Sequence, residues 1–202
     1  MPLEEPVPEL RHVSDAQTMR ALSHPVRFAL IEELTLSGRA MTATELGEVI
    51  GETATTCSFH LRQLAKYGFV EEAGGGRGRA RPWRMTSIGI NVHASGGDPD
   101  SEIAQAVLGR MLRDRTLGRY RTWLETKQSY PRPWQDAAGE TDWIAYLTAD
   151  ELDRLQGDIL ALLLSRHRER LEDPSLRPPG SVPVEVLVLS YPMRHPGPDG
   201  AD

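Results

Sequence analysis

The feature that most constrains the fold is a change of hydrophobic period at Gly68. Before it, two short helical patterns, 42–50 and 53–66, follow each other with only two residues between them. After it, two short strand-like runs flank a tip rich in glycine and arginine at 74–81. The sequence therefore predicts helix, tight turn, helix and β-hairpin in this order.

Start and stop signals mark the helices of this region. Ser14–Gln17 and Thr42–Glu45 match the capping-box pattern, and Thr53 is suited to cap the helix that follows it. Pro25 fits the first turn of a further helix that stops at Ser37-Gly38. Four helices and a hairpin of this size predict a winged helix-turn-helix domain.

Composition divides the chain of 202 residues into five segments. They are a flexible proline-containing arm at 1–13, a winged helix-turn-helix DNA-binding domain at 14–93, a linker at 94–99, a domain at 100–193 for dimerisation and, where a pocket exists, for an effector, and a loose tail at 194–202. The predicted fold class is mostly α with small β (α+β). In the second domain, strands at 141–147 and 182–191 should form a small antiparallel sheet covered by long helices that start at Asp100 and Thr148.

The second helix of the predicted pair is the one that enters the major groove of duplex DNA. Outside its apolar stripe it offers hydroxyl and amide groups for base edges or phosphates, and a phenyl ring for thymine methyl groups. The candidate DNA-binding residues are Thr53, Thr55, Thr56, Ser58, Phe59, His60, Arg62 and Gln63. The alternative for the polar residues is a helix face that only contacts solvent. The alternative for His60 is a structural role in which it braces the helix.

The predicted wing supplies positive charge in a chain whose net charge is -6. Residues 53–90 contain six basic and two acidic residues, a balance of +4. The wing candidates for DNA binding are Arg77, Arg79 and Arg81, with Arg84 close by, because guanidinium groups on a glycine-rich tip can reach phosphates or a minor groove. The alternative is a turn that the arginines merely keep hydrated.

The order of these parts resembles the ArsR family of winged helix-turn-helix regulators over roughly 15–92. The resemblance is carried by Leu-Ser-His-Pro-x-Arg at 22–27 and by Ser-x-His-Leu-x-x-Leu at 58–64. It implies that the first stretch joins two helices and that the second lies on the recognition helix. The pattern from Trp143 to Leu152, with a closing valine-rich strand, is similar to the companion domain of a subgroup of these regulators.

Metal-sensing members of that family carry thiolate pairs or His and carboxylate clusters, and this chain departs from that pattern. Its six histidines show no i,i+4 pairing and no neighbouring cysteine, so we expect no metal site and no cofactor. The single cysteine, Cys57, falls on the apolar side of the recognition helix, which favours a buried structural thiol over a redox switch.

Five aromatic residues of the second domain leave two interpretations open. They form either a plain aromatic core and dimer surface or a pocket for a small apolar effector. The residues are Tyr120, Trp123, Trp134, Trp143 and Tyr146.

Function follows from these expectations. No nucleophile elbow, phosphate loop or paired-His motif is present, so we expect no enzyme; without an export signal or membrane span, a cytoplasmic location is expected. The sequence predicts a homodimer that binds double-stranded DNA at a palindromic operator, acts as a repressor and responds to a ligand where the aromatic pocket exists. The alternative is a winged-helix protein-interaction module without sequence-specific DNA binding.

Overall fold

The computed structural model of the chain describes residues 10–74, 81–92 and 98–195. Several predicted features lie outside these residues. They are the arm up to residue 9, the wing tip with Arg77 and Arg79, residues 94–97 of the linker, and the tail from residue 196.

Short strands and four helices make up the N-terminal half. In chain order they are β1 (Arg11–Val13), α1 (Ala16–Leu22), α2 (Pro25–Ser37), β2 (Met41–Thr42), α3 (Ala43–Ile50), α4 (Ala54–Lys66), β3 (Val70–Glu72), β4 (Pro82–Met85) and β5 (Ile90–Val92). Strand β4 lies between β2 and β3 in an antiparallel sheet, and β1 pairs in parallel with β5. The predicted helix-turn-helix and hairpin are confirmed.

The helix ends use the expected cap chemistry, with one shift. Thr42 and Glu45 form both bonds of the capping box of α3. The N–H and the hydroxyl group of Thr42 both donate to the Glu45 carboxylate, at 2.7 and 2.8 Å, and with Arg39 they lower its pKa to about 2. At α1 the cap is Asp15, one residue after the predicted Ser14, and its carboxylate accepts from the Thr18 N–H at 2.8 Å. Adjacent Ser and Asp are nearly equal as caps, so sequence alone does not separate them.

A single core joins the four helices and continues into the second half. Met19, Leu30, Leu46, Leu61 and Phe69 are fully buried. Ala104 and Leu108 belong to the same cluster, although they lie beyond the predicted linker. The start of the long helix therefore packs on the winged domain, chiefly against α1.

The end of the predicted flexible arm is ordered, which corrects that expectation for residues 11–13. Val13 is buried, and the Arg11 guanidinium donates to the Gly68 carbonyl at 2.8 Å and to the Tyr67 carbonyl while lying 4.6 Å from the centre of the Phe69 ring. Parallel pairing with β5 joins residues far apart in sequence, so no local pattern could predict it.

The C-terminal half is helical. It contains α5 (Pro99–Thr126), α6 (Arg132–Ala137) and α7 (Ala149–Glu172), with short 3₁₀ turns at Lys127–Ser129 and Pro174–Leu176. The fold is thus mostly α with a small antiparallel sheet, as predicted. None of the helices that the structure describes combines the length and apolar content that a membrane crossing requires.

The predicted sheet of the second domain is not formed, and this expectation was wrong. Residues 141–147 and 182–191 belong to no strand, and their large apolar side chains are exposed, Trp143 at 63% and Val184 at 67%. The apolar, β-branched composition was correct as a preference, but a strand exists only where another backbone runs beside it. Within the described chain neither segment has such a neighbour.

Candidate nucleic-acid interface

A close backbone approach sets the angle between α3 and α4. Gly51 ends α3 at φ 77°, and the N–H groups of Gly51 and Glu52 both donate to the Gly47 carbonyl at 3.0 Å. A Cβ placed on Gly47 would lie only 2.5 Å from the Glu52 carbonyl oxygen. The turn therefore needs glycine at 47 as well as at 51, and the first requirement was missed because a glycine inside a helical pattern looks like a mere weakness.

The N-terminus of α4 uses two of the candidate hydroxyl groups internally. The Thr53 hydroxyl oxygen accepts from the Thr56 N–H at 3.1 Å, as predicted for a cap, and lies 2.9 Å from the Thr56 hydroxyl. Both residues lie at the solvent-facing start of the helix, but their hydroxyl groups bond to each other and Thr53 caps the helix.

Helix α4 has two distinct faces. Cys57, His60, Leu61 and Leu64 are buried against the core. Thr55, Phe59, Arg62 and Lys66 are exposed at spacings of three to four residues, with Phe59 52% exposed, and Thr56, Ser58 and Gln63 flank them in half-buried positions. We call Thr55, Phe59, Arg62 and Lys66 the exposed α4 face; Lys66 was absent from the predicted set.

His60 does not share that face. Its ring lies 4.4 Å from the His24 ring at the start of α2, where the Nδ1 atom of His24 accepts from the Val26 N–H at 3.2 Å. Burial, and after it the positive charge of Arg27, lowers the pKa of His24; burial, then His24 and Arg27, lowers that of His60. Two neutral rings thus brace α4 against α2, which is the structural role weighed for His60.

The described part of the wing carries its arginines in ion pairs. Arg81 donates to both carboxylate oxygens of Glu72 at 2.9 and 3.0 Å. Arg84 pairs with Glu71 at 2.7 Å across the β3–β4 ladder. Both arginines are exposed, but a carboxylate already compensates each charge, a pairing that composition alone cannot foresee.

The exposed α4 face keeps its charges available. Arg62 has no ion pair within the described residues, and the Lys66 ammonium lies 5.7 Å from the centre of the Tyr67 ring. Two cations beside a phenyl ring and a hydroxyl group form a surface that suits phosphates and base edges.

Of the five aromatic residues proposed for an effector pocket, the structure shows one pair in ring contact. Tyr120 and Trp123 stack with ring centres 5.8 Å apart, the Tyr120 hydroxyl donates to Glu140, and Lys127 lies over the Trp123 ring. Trp134 is half-buried on α6. Trp143 and Tyr146 are exposed at 63% and 101%, so an enclosed pocket of all five remains a prediction.

Metal-binding and thiol chemistry are limited in the described chain. No group of three or more His, Cys, Asp or Glu side chains is arranged there to hold a metal ion. Cys57 is fully buried, and burial raises the pKa of its thiol, so it has the character of an inert core residue.

Comparisons with known proteins agree with the geometry of the N-terminal half. Residues 22–73 match the model of a family described as a helix-turn-helix domain, and the chain contains such a domain with a wing. No curated protein matches the chain.

Among solved structures, the transcriptional repressor BigR from Xylella fastidiosa is 24% identical over 49% of this chain and 84% of its own, with a TM-score of 0.29. A MarR mutant from E. coli complexed with operator DNA is 18% identical over 73% of this chain and 86% of its own, with a TM-score of 0.30. TM-scores this low do not establish a shared overall fold.

Proposed function

We propose that the chain is a DNA-binding transcription regulator. The observation that carries this proposal is the exposed α4 face: in a helix-turn-helix, the second helix turns toward solvent the side chains that duplex DNA would meet. Its chemistry is a hydroxyl group, a phenyl ring and two cations without carboxylate partners in the described chain.

The residues have separable roles in this proposal. Thr55 and Phe59, in the first turns of α4, contact base edges and thymine methyl groups. Arg62 and Lys66, further along the helix, contact phosphates and fix the register. The same major groove of the DNA is bordered by Ser58, Gln63, Thr56 and Thr53. The wing arginines, including Arg77 and Arg79, add affinity that does not depend on the DNA sequence.

A homodimer that binds a palindromic operator as a repressor of the ArsR type completes the proposal. A single winged domain makes few base contacts, whereas two copies related by a twofold axis contact two half-sites. Helix α5, together with α1, is the expected dimer surface, and Ile103 and Val107 of α5 are 62% and 56% exposed on it.

A protein-interaction module that uses the winged domain without DNA is the competing function. Its contacts would depend on the apolar and shape features of α4 far more than on charge. Strong salt dependence of binding to duplex DNA therefore separates the two functions, because counterion release accompanies phosphate contacts.

The test compares Arg62→Ala with Arg121→Ala, an exposed arginine of α5 that removes the same charge outside the exposed α4 face. Fluorescence anisotropy with a random-sequence duplex should show weaker binding and a salt slope smaller by about 0.9 per protomer for Arg62→Ala. Arg121→Ala should bind as the wild type does. Equal effects of the two variants, or no salt-dependent binding by the wild type, would reject the proposal.

A further inference from the structure

The second half exposes an apolar stretch that no other part of the described chain covers. Residues 182–191, which we call the C-terminal apolar segment, contain seven large apolar side chains that are each 44% to 73% exposed: Val182, Val184, Val186, Leu187, Val188, Leu189 and Tyr191. Scattered exposed apolar residues are ordinary, but a continuous run of this length marks a surface that a partner covers.

The backbone of this segment is also unpaired. No backbone hydrogen bond joins residues 182–191 to any other described residue, and the segment forms neither helix nor strand. Its composition, rich in valine and leucine with a single charge, is that of a strand buried on both faces. Apolar side chains and open N–H and C=O groups together are the two requirements of strand addition.

One ionic anchor holds the segment on the molecule. The Glu185 carboxylate accepts from the Arg119 guanidinium on α5, with Nε at 3.1 Å, and from the Thr116 hydroxyl at 3.3 Å. Arg119 in turn pairs with Glu32 of α2. The only charge of the segment is therefore neutralised within its own chain, so two copies can approach each other without repulsion between their carboxylates.

We propose that the C-terminal apolar segment pairs in antiparallel fashion with the same segment of a second copy of this chain. Such an isologous pair satisfies the backbone groups of both copies and buries the same side chains twice. The seven large apolar side chains of the segment expose on the order of 700 Å² per copy, close to the about 800 Å² that each partner contributes to a stable interface.

This inference rests on the proposed function for its partner, because a regulator that contacts two half-sites already needs a second copy. It adds a contact surface distinct from α1 and α5. The competing occupant is the segment 141–147, with Trp143 and Ile144 also exposed, taken from the same chain or from the partner. The cross-linking experiment below distinguishes pairing with 141–147 from pairing with a second copy of 182–191.

Variants of the chain that each carry one added cysteine locate the twofold axis. Val184→Cys, Val186→Cys, Leu187→Cys, Val188→Cys and Leu189→Cys are each oxidised with copper phenanthroline; buried Cys57 should not react. In an antiparallel pair of identical strands, a residue lies opposite its own copy only at the twofold axis, and the distance between the two copies grows with each residue away from the axis. Disulfide-linked dimers should therefore form at only one or two adjacent positions. Val49→Cys, at an exposed valine of α3, is the matched control. Cross-linking no greater than this control at every position would overturn the proposal.

Backbone pairing is tested by Val186→Pro against Val186→Thr. Only alternate N–H groups of an antiparallel pair face the partner strand, so Leu187→Pro is measured beside Val186→Pro; proline removes a ladder N–H at one of the two positions, whereas Val186→Thr keeps the N–H and the β-branched shape. In sedimentation equilibrium, one of the two proline variants should raise the dimer dissociation constant about tenfold or more, and Val186→Thr about threefold or less. Association of both proline variants equal to that of Val186→Thr would overturn strand pairing, as would cross-linking of 182–191 to an added cysteine in 141–147 alone.

DNA binding by the same variants keeps the two proposals separate. If both proline variants stay fully associated and the wild type binds the random duplex with a steep salt dependence, the strand contact fails and the regulator stands. If the wild type does not bind the duplex while one of the proline variants still loses association, the regulator fails and the strand contact stands.

Discussion

At the scale of single residues, the turn of the helix-turn-helix depends on the absence of a side chain at Gly47. Gly47 has no Cβ, and the Glu52 carbonyl occupies the space where one would be, 2.5 Å from its ideal position. Glycine within a helix ordinarily costs about 0.5–1 kcal/mol relative to alanine. Here that cost is offset, because the missing side chain lets α3 approach the turn that leads into α4.

Gly47→Ala should therefore lower the free energy of unfolding by about 1–3 kcal/mol, the usual cost of overpacking. The matched control is Gly157→Ala in α7, where a Cβ would meet nothing within 4 Å. That variant should gain about 0.5–1 kcal/mol from helix propensity. Urea denaturation followed by circular dichroism measures both, and a stabilised Gly47→Ala would show that the turn relaxes freely.

The histidine pair gives a pH dependence with a definite sign. Burial holds the pKa values of His24 and His60 below the ordinary 6.5 in the folded chain, and Arg27 beside them acts in the same direction while Glu52 opposes it. The unfolded chain then binds more protons than the folded one as the pH falls. Stability should be constant above about pH 6.5 and decline below it, toward the lowered folded values.

This decline should be smaller in His60→Gln, which leaves one imidazole with a lowered pKa instead of two. His167→Gln, at an exposed position of α7, should keep the wild-type slope and is the control. The free energy of unfolding is measured between about pH 7.5 and 5, above the range where carboxylates begin to titrate. A wild-type slope in His60→Gln would mean that other groups account for the acid sensitivity.

At the scale of elements, the wing is a charged hairpin whose described arginines are partly neutralised. Glu72 accepts two hydrogen bonds from Arg81, so the guanidinium must leave this carboxylate before it contacts a phosphate. Glu72→Gln should increase affinity for a random duplex and steepen the salt slope by up to about 0.9 per protomer. Glu125→Gln, an exposed carboxylate of α5, makes the same change in net charge elsewhere and should have little effect.

The gain in DNA affinity of Glu72→Gln should depend on Arg81. In an Arg81→Ala background, Glu72→Gln should change the salt slope little, because no released guanidinium remains to bind a phosphate. An equal gain in both backgrounds would instead show that Glu72 acts by repelling DNA directly.

Elements defined by local signals were predicted correctly from the sequence. Capping boxes, Pro25 and the glycine stops give α2 to α4 nearly at their true limits, and the period change at Gly68 gives the hairpin. The parallel pair β1–β5 and the absent pair 141–147 with 182–191 were both missed. In each case the outcome depends on which backbones meet in space, and β preference does not contain that information.

In the candidate site, too, local sequence patterns predict the helix but not the contacts between elements. Helical periodicity predicts the register of α4, so Thr55, Phe59 and Arg62 were placed outside its apolar stripe, where the structure exposes them. It does not give the partners of each charge: the Arg81–Glu72 pair, and the burial of His60 against His24, arise from packing between elements.

At the scale of the whole molecule, an ionic network helps to join the two halves of the chain. Glu32 of α2 is only 22% exposed and pairs with both Arg115 and Arg119 of α5. The Arg115 guanidinium also lies 5.5 Å from the centre of the Phe28 ring. Arg119 extends the network to Glu185, so one carboxylate of the winged domain is linked to the segment that we propose as a dimer contact.

A double-mutant cycle measures what this network contributes. Glu32→Gln and Arg119→Gln should show a coupling energy of about 1 kcal/mol or more, because the shared carboxylate is partly buried and serves several partners. The reference is the cycle of Arg132→Gln and Asp136→Asn, an i,i+4 pair in α6 that is 79% and 59% exposed. Exposed pairs of that kind contribute about 0.3–0.5 kcal/mol.

Both cycles are measured by urea denaturation at about 0.1 and 1 M salt, since screening removes the coupling of exposed charges first. The Glu32 cycle should keep most of its coupling at the higher concentration, and the α6 cycle should lose its own. Equal, salt-sensitive couplings would mean that packing of Ala104 and Leu108 against α1 holds the halves together without help from the network.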